Sequence, residues 1–160
     1  MIDMPQKGFT LIETLVYLAL FSIIIGGLIA ASYMLFETSD RNQTKAMMQE
    51  EENFLIAKIN WALSGASSVS VPSANSSGST LTVTKYDGTS FTINRSGTDL
   101  IMNFTPLNNT NVAISKLVFI HTYAGGTNPE SVEAGFTISA QTPTGGTIFE
   151  TASTTSYVRK

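Results

Sequence analysis

Glu13 is a carboxylate in a place where carboxylates are costly. It is the only formally charged residue between Lys7 and Glu37, and an uncharged run from Thr14 to Phe36 follows it. That run exceeds the ~20 residues a helix needs to cross a hydrocarbon core about 30 Å thick. A carboxylate inside such a helix costs about 2.5–3.5 kcal/mol on insertion scales, so it normally has a partner. In the headgroup region the cost is small. Position alone leaves both possibilities open.

Elsewhere the chain offers little for conventional chemistry. It has no cysteine and one histidine, His121, which excludes thiolate metal sites, disulfides and cysteine nucleophiles. No histidine pair is available for zinc. His121 alternates with Leu117 and Phe119, the pattern of a hydrogen-bonded sheet histidine. Glu130 and Glu133, near Asn128, carry the oxygens calcium uses, but no EF-hand spacing accompanies them and they read as a solvated loop pair. Gly125-Gly126 lacks the Lys-Ser/Thr of a phosphate loop. Asn94, Asn103 and Asn108 each begin a glycan-acceptor triplet, a pattern that arises readily in so Ser/Thr-rich a chain. The expectation is no enzyme, no cofactor and no metal.

The elements around Glu13 divide the chain unevenly. At 160 residues there is room for one domain, or for one domain and a membrane-spanning extension. Net charge is -3. From Gly65 onward Lys85, Arg95, Lys116, Arg159 and Lys160 balance Asp87, Asp99, Glu130, Glu133 and Glu150. A nucleic-acid partner calls for a basic excess, which is absent.

Past Phe36 the helical pattern continues into water-soluble sequence. Met48, Leu55, Ile59 and Leu63 recur at steps of seven and four along one helix face, and Glu50-Glu51-Glu52 reads as a water-facing turn of the same helix. Ser64-Gly65 ends the pattern. A helix from Thr10 to Ser64 would be roughly 80 Å long at 1.5 Å per residue, too long for a compact domain. Gly26-Gly27 is its weak point, suited either to close helix packing or to local unwinding.

After Gly65 the period becomes two. Val69–Val71, Leu81–Val83 and Phe91–Ile93 alternate apolar with small polar residues, and Asp87-Gly88 fits a tight hairpin. Ser96–Asp99 makes another turn before a strand from Leu100 to Phe104. Lys116–Tyr123, apolar on both faces, reads as a central strand. Val132, Ala134, Phe136 and Ile138 share one face of the next, and Gly145-Gly146 leads into a last strand from Thr147 to Val158. The expected fold class is α+β, a long N-terminal helix packed on an antiparallel β-sheet head.

Lys7-Gly8-Phe9-Thr10-Leu11-Ile12-Glu13 resembles the prepilin cleavage and methylation motif of bacterial type IV pilins and type II secretion pseudopilins. The resemblance implies that a prepilin peptidase cuts after Gly8 and methylates the new amino terminus at Phe9. Glu13 becomes the fifth residue of the mature chain, which in the family neutralises the terminal amine of a neighbouring subunit. A buried carboxylate is tolerable when paired with a buried ammonium, and losing either strands a charge.

The same resemblance implies a leader at 1–8, a transmembrane and assembly helix at 9–36, its amphipathic continuation at 37–64 and a β head at 65–160. Its implied partners are other pilin or pseudopilin subunits, the peptidase, an inner-membrane assembly platform and, before assembly, membrane lipid. The implied location is a single pass of the inner membrane, then an extracytoplasmic pilus or pseudopilus. The long helix, the serine-rich bend, the strand near Leu117–Phe119 and the ending from Phe149 to Lys160 look like J-type minor pseudopilins and W-type minor pilins. Many major pilins carry a proline early in the helix, whereas this chain has none between Pro5 and Pro72, which leans toward a minor subunit. A major pilin, or a filament-displayed module for adhesion or DNA uptake, is the alternative.

Overall fold

A computed structural model describes residues 8, 10–123 and 129–158. They fall into two compact units, one through Asp40 and one from Arg41, and one helix, α1 (Leu11–Leu63), runs through both.

In the first unit α1 buries nothing of its own. Leu15, Phe21, Ile23, Leu28 and Leu35 are all more than half exposed, and the helix is long and apolar enough to cross a membrane. Its hydroxyls suit such a setting. Ser22, Ser32 and Thr38 donate to the carbonyls of Leu18, Leu28 and Met34, one turn back, so these groups are satisfied without water. The helix passes unbroken through Gly26-Gly27, and a Cβ added at either glycine would meet nothing within 4 Å.

In the second unit the remainder of α1 lies on a β head. Met48, Leu55, Ile59 and Leu63 are buried as their spacing predicts, joined by Thr44 and Ala62. Nine strands follow among the described residues: β1 (Ala66–Val71), β2 (Ser76–Gly78), β3 (Thr80–Lys85), β4 (Ser90–Ser96), β5 (Asp99–Met102), β6 (Thr105–Pro106), β7 (Val112–Thr122), β8 (Ser131–Gln141) and β9 (Thr147–Tyr157). They form two antiparallel sheets, ordered β1-β3-β4-β5-β6 and β2-β7-β8-β9, where the sequence pointed to one. Tight turns keep most pairing local, with Gly88 (φ 84°) and Gly97 (φ 61°) at the β3–β4 and β4–β5 turns. β7 is where the sheets meet: its register shifts between Ile114 and Lys116, and Ile114 N–H donates to the Thr98 carbonyl at 2.7 Å.

Several side chains depart from expectation. β7 is internal to its sheet, but of the apolar run Leu117–Ile120 only Leu117 and Phe119 are buried, while Val118 and Ile120 are 37% and 40% exposed. The acidic turn of α1 is also not simply solvated. Glu51 accepts from the Asn109 backbone N–H and side-chain amide, both at 2.9 Å. Glu52 is held above the usual carboxylate range by partial burial and by Glu150 beside it. Asn108, buried, ties the β6–β7 connection together: its Oδ1 accepts from Leu100 N–H at 2.7 Å and its Nδ2 donates to the Val112 carbonyl at 2.9 Å.

The β5–β6 hairpin carries local strain. Its two loop residues, Asn103 (φ 48°) and Phe104 (φ 72°), both occupy the left-handed region, where Asn-Gly is the favoured pair. Phe104 is 96% exposed, so its ring gains nothing from the head in return for a backbone strain of about 1–3 kcal/mol. Phe104→Gly should therefore raise head stability by about 1 kcal/mol, seen as a higher urea midpoint with an unchanged slope. A lower midpoint would show that the ring contributes to the folded head.

Candidate processing and assembly site

The site begins where the helix begins. Thr14 N–H donates to the Thr10 carbonyl at 3.2 Å, and Glu13 N–H to Thr10 Oγ1 at 3.3 Å. Thr10 is thus the N-cap, its hydroxyl satisfying the amide of the third helical residue. Thr10-Leu11-Ile12-Glu13 has the T-x-x-E spacing of a capping box. This helix-start signal overlies the cleavage motif and was available in the sequence, but the motif reading passed over it.

Glu13 is half-buried in the first turn of α1, and Tyr17, one turn on, donates its hydroxyl to Glu13 Oε1 at 3.5 Å. A carboxylate near a helix N-terminus gains about 0.3–1 kcal/mol from the helix dipole. That is well short of the 2.5–3.5 kcal/mol that bilayer insertion costs it. The helix start accommodates Glu13 near the headgroups, but it does not replace a cation deeper in an apolar setting.

Gly8 is exposed, and a Cβ added there would meet nothing within 4 Å. No described atom close by therefore demands glycine at this position. Phe9 and Lys7 lie outside the described residues, so the structure brings together only Gly8, Thr10, Glu13 and Tyr17 from this segment.

The other candidate residues serve the fold. His121 is buried, with Nδ1 2.9 Å from the Pro72 carbonyl and Nε2 2.9 Å from Glu130 Oε1. Glu130 is 6% exposed, which corrects its reading as half of a solvated loop pair: β8 begins beside it, and the buried His121 imidazole meets its carboxylate. Glu133 lies on the exposed face of β8, so the two carboxylates do not converge. Asn128 and Gly125-Gly126 lie outside the described residues. Among the described residues no group of three or more metal-ligating side chains occurs.

Residues 3–29 match the family model described as the prokaryotic N-terminal methylation motif. No curated protein and no solved structure matches the chain. The matched segment contains Gly8, Phe9 and Glu13, and the rest of the chain rests on its own geometry.

Proposed function

We propose that the chain, which carries the prokaryotic N-terminal methylation motif at residues 3–29 and an α+β fold with a long N-terminal helix, is a structural subunit of a type IV pilus or a type II secretion-like pseudopilus. In this reading a prepilin peptidase removes residues 1–8 and methylates Phe9. The chain waits as a single-pass inner-membrane protein, and α1 then carries it into an extracytoplasmic filament beside other subunits. The observation that carries the reading is the position of Glu13: one carboxylate, in the first turn of a long exposed apolar helix, four residues after the expected new terminus.

Gly8 supports the processing step. Among the described residues nothing crowds Gly8, so in this reading the need for a small residue comes from the enzyme that cuts beside it. Mass spectrometry of the mature chain should show an N-terminus at Phe9 bearing one methyl group. Gly8→Val should leave the precursor uncut, because a branched side chain crowds the cut bond. An intact wild-type N-terminus, or cleavage beyond Phe36, would end the filament reading.

Within it, the lack of proline between Pro5 and Pro72 supports a minor subunit, with the J-type and W-type proteins as the nearest pattern. Copy number in purified filaments separates minor from major. DNA uptake calls for a basic strip, which the balanced charge of the head does not favour.

A further inference from the structure

Among the described residues four strands form the edges of the two sheets: β1 and β6 in one, β2 and β9 in the other. An edge exposes a row of unpaired N–H and C=O groups, and folds blunt such rows with short strands, proline, bulges or charge. Three of the four are blunted here. β6 is two residues long and includes Pro106. β2 is three residues long. β1 has register shifts between Ala66 and Ser68 and between Val69 and Val71, and Pro72 follows it.

β9 has neither shortness, nor proline, nor a bulge. It runs for 11 residues and pairs with β8 without a register shift. It contains no proline and no basic residue. Its single charge, Glu150, lies on the inward face with Ile148 and Ala152.

The phase of its hydrogen bonds can be read directly. Val158 N–H donates to the Glu130 carbonyl at 2.9 Å, continuing the register in which Ser131 opposes Tyr157. Bonded and non-bonded pairs alternate along an antiparallel ladder. Even-numbered residues of β9 therefore turn their N–H and C=O toward β8, and Phe149, Thr151, Ser153, Thr155 and Tyr157 turn theirs outward. The side chains of these five are exposed as well.

We propose that this edge docks β9 of a second copy, antiparallel and centred on Ser153. In that register Phe149 opposes Tyr157 of the second copy, Thr151 opposes Thr155, and Ser153 opposes Ser153. Aromatic meets aromatic at both ends and hydroxyl meets hydroxyl between them, the cross-strand pairs that stabilise sheets. On the inward face Ile148 opposes Val158, Glu150 opposes Ser156 and Ala152 opposes Thr154, so no carboxylate faces another. A centre between two residues is excluded by the hydrogen-bond phase, which would set outward-turned groups against inward-turned ones. A centre on Ala152 sets Phe149 against Thr155 and Tyr157 against Thr147, and one on Thr154 sets Tyr157 against Thr151, so neither brings the aromatics together. A slip to Thr151 or Thr155 sets one aromatic against Ser153 and leaves the other without a partner. The contact is isologous and closes on itself, so it couples subunits in pairs and stands independently of helix-driven filament growth.

The chain has no cysteine, so one introduced thiol reports the register. Paired residues at bonded positions have Cα atoms about 5.5 Å apart, whereas Thr151 and Thr151 of the second copy would stand four residues apart along the ladder, roughly 13 Å. Full-length Ser153→Cys, Thr151→Cys and Thr155→Cys, each in isolated membranes, are treated with a short thiol-bridging reagent. Ser153→Cys should give at least ten-fold more covalent dimer than either other variant alone. Differently tagged Thr151→Cys and Thr155→Cys, co-expressed, should recover a mixed dimer. Ser153→Pro removes an outward N–H without touching the β8 ladder. Placed in a Thr151→Cys and Thr155→Cys pair, it should abolish the mixed dimer while the head keeps its thermal transition. Equal yields from the three single variants, no dimer from Ser153→Cys, or a mixed dimer that survives Ser153→Pro would each overturn the proposal.

Discussion

Glu13→Ala should be inserted and cleaved like the wild-type chain, yet be nearly absent from sheared filaments. Glu13 sits in the first turn of α1, where Thr10 caps the helix and Tyr17 reaches the carboxylate. In the proposed reading neither insertion nor cleavage after Gly8 needs the acid. Entry into a bundle of apolar helices would change the balance, because the methylated amine at Phe9 would then leave water and require an anion. Removing one member of a buried ion pair costs about 3–5 kcal/mol, since the remaining charge is stranded. With each 1.4 kcal/mol worth a factor of ten, incorporation should fall about 100-fold or more. Glu13→Asp, shorter by one methylene, should be intermediate. Immunoblots of sheared filaments and of membrane fractions measure both pools. Wild-type incorporation of Glu13→Ala would mean that the amine is neutralised by another group, and the role assigned to Glu13 would be withdrawn.

How far such features are legible in a sequence depends on how local they are. The N-terminal segment is contiguous: a cleavage-like heptapeptide, a lone acid and an uncharged run can be read without knowing any tertiary contact. The buried face of α1 was legible for the same reason, since Met48, Leu55, Ile59 and Leu63 are set by helical period alone. Hairpins closed by Asp87-Gly88, Gly97 and Gly145-Gly146 were equally local. The division into two sheets was not, because alternation tells which face of a strand is buried and not which strand lies beside it. Nothing in Ser76–Gly78 announces that it pairs with β7 and not with its sequence neighbours. The acids show the same limit. Glu51 finds Asn109 across 58 positions, and Glu130 is buried by segments remote in sequence, so neither could be separated from solvated carboxylates such as Glu133.

His121 and Glu130 should prove the most sensitive polar pair in the head. A carbonyl only accepts, so the contact with Pro72 fixes a proton on His121 Nδ1. The Nε2 to Oε1 contact at 2.9 Å then holds one more proton between imidazole and carboxylate. The pair joins the end of β7, the start of β8 and the β1–β2 connection, and Val158 N–H bonds the Glu130 carbonyl from the far end of β9. His121→Ala leaves a buried carboxylate without its imidazole, and Glu130→Ala leaves a buried imidazole without its acid. Each should cost about 3–5 kcal/mol. His121→Phe combined with Glu130→Met removes both polar groups and keeps the volume, leaving chiefly the Pro72 carbonyl without its donor. That should cost only about 1–3 kcal/mol, less than either single truncation. Urea unfolding of a head fragment beginning at Thr38, followed through the single tryptophan Trp61, reports all three. A double variant as unstable as the sum of the two truncations would show that His121 and Glu130 act separately. The expected shortfall from that sum identifies them as one unit, a buried polar clasp with a structural task.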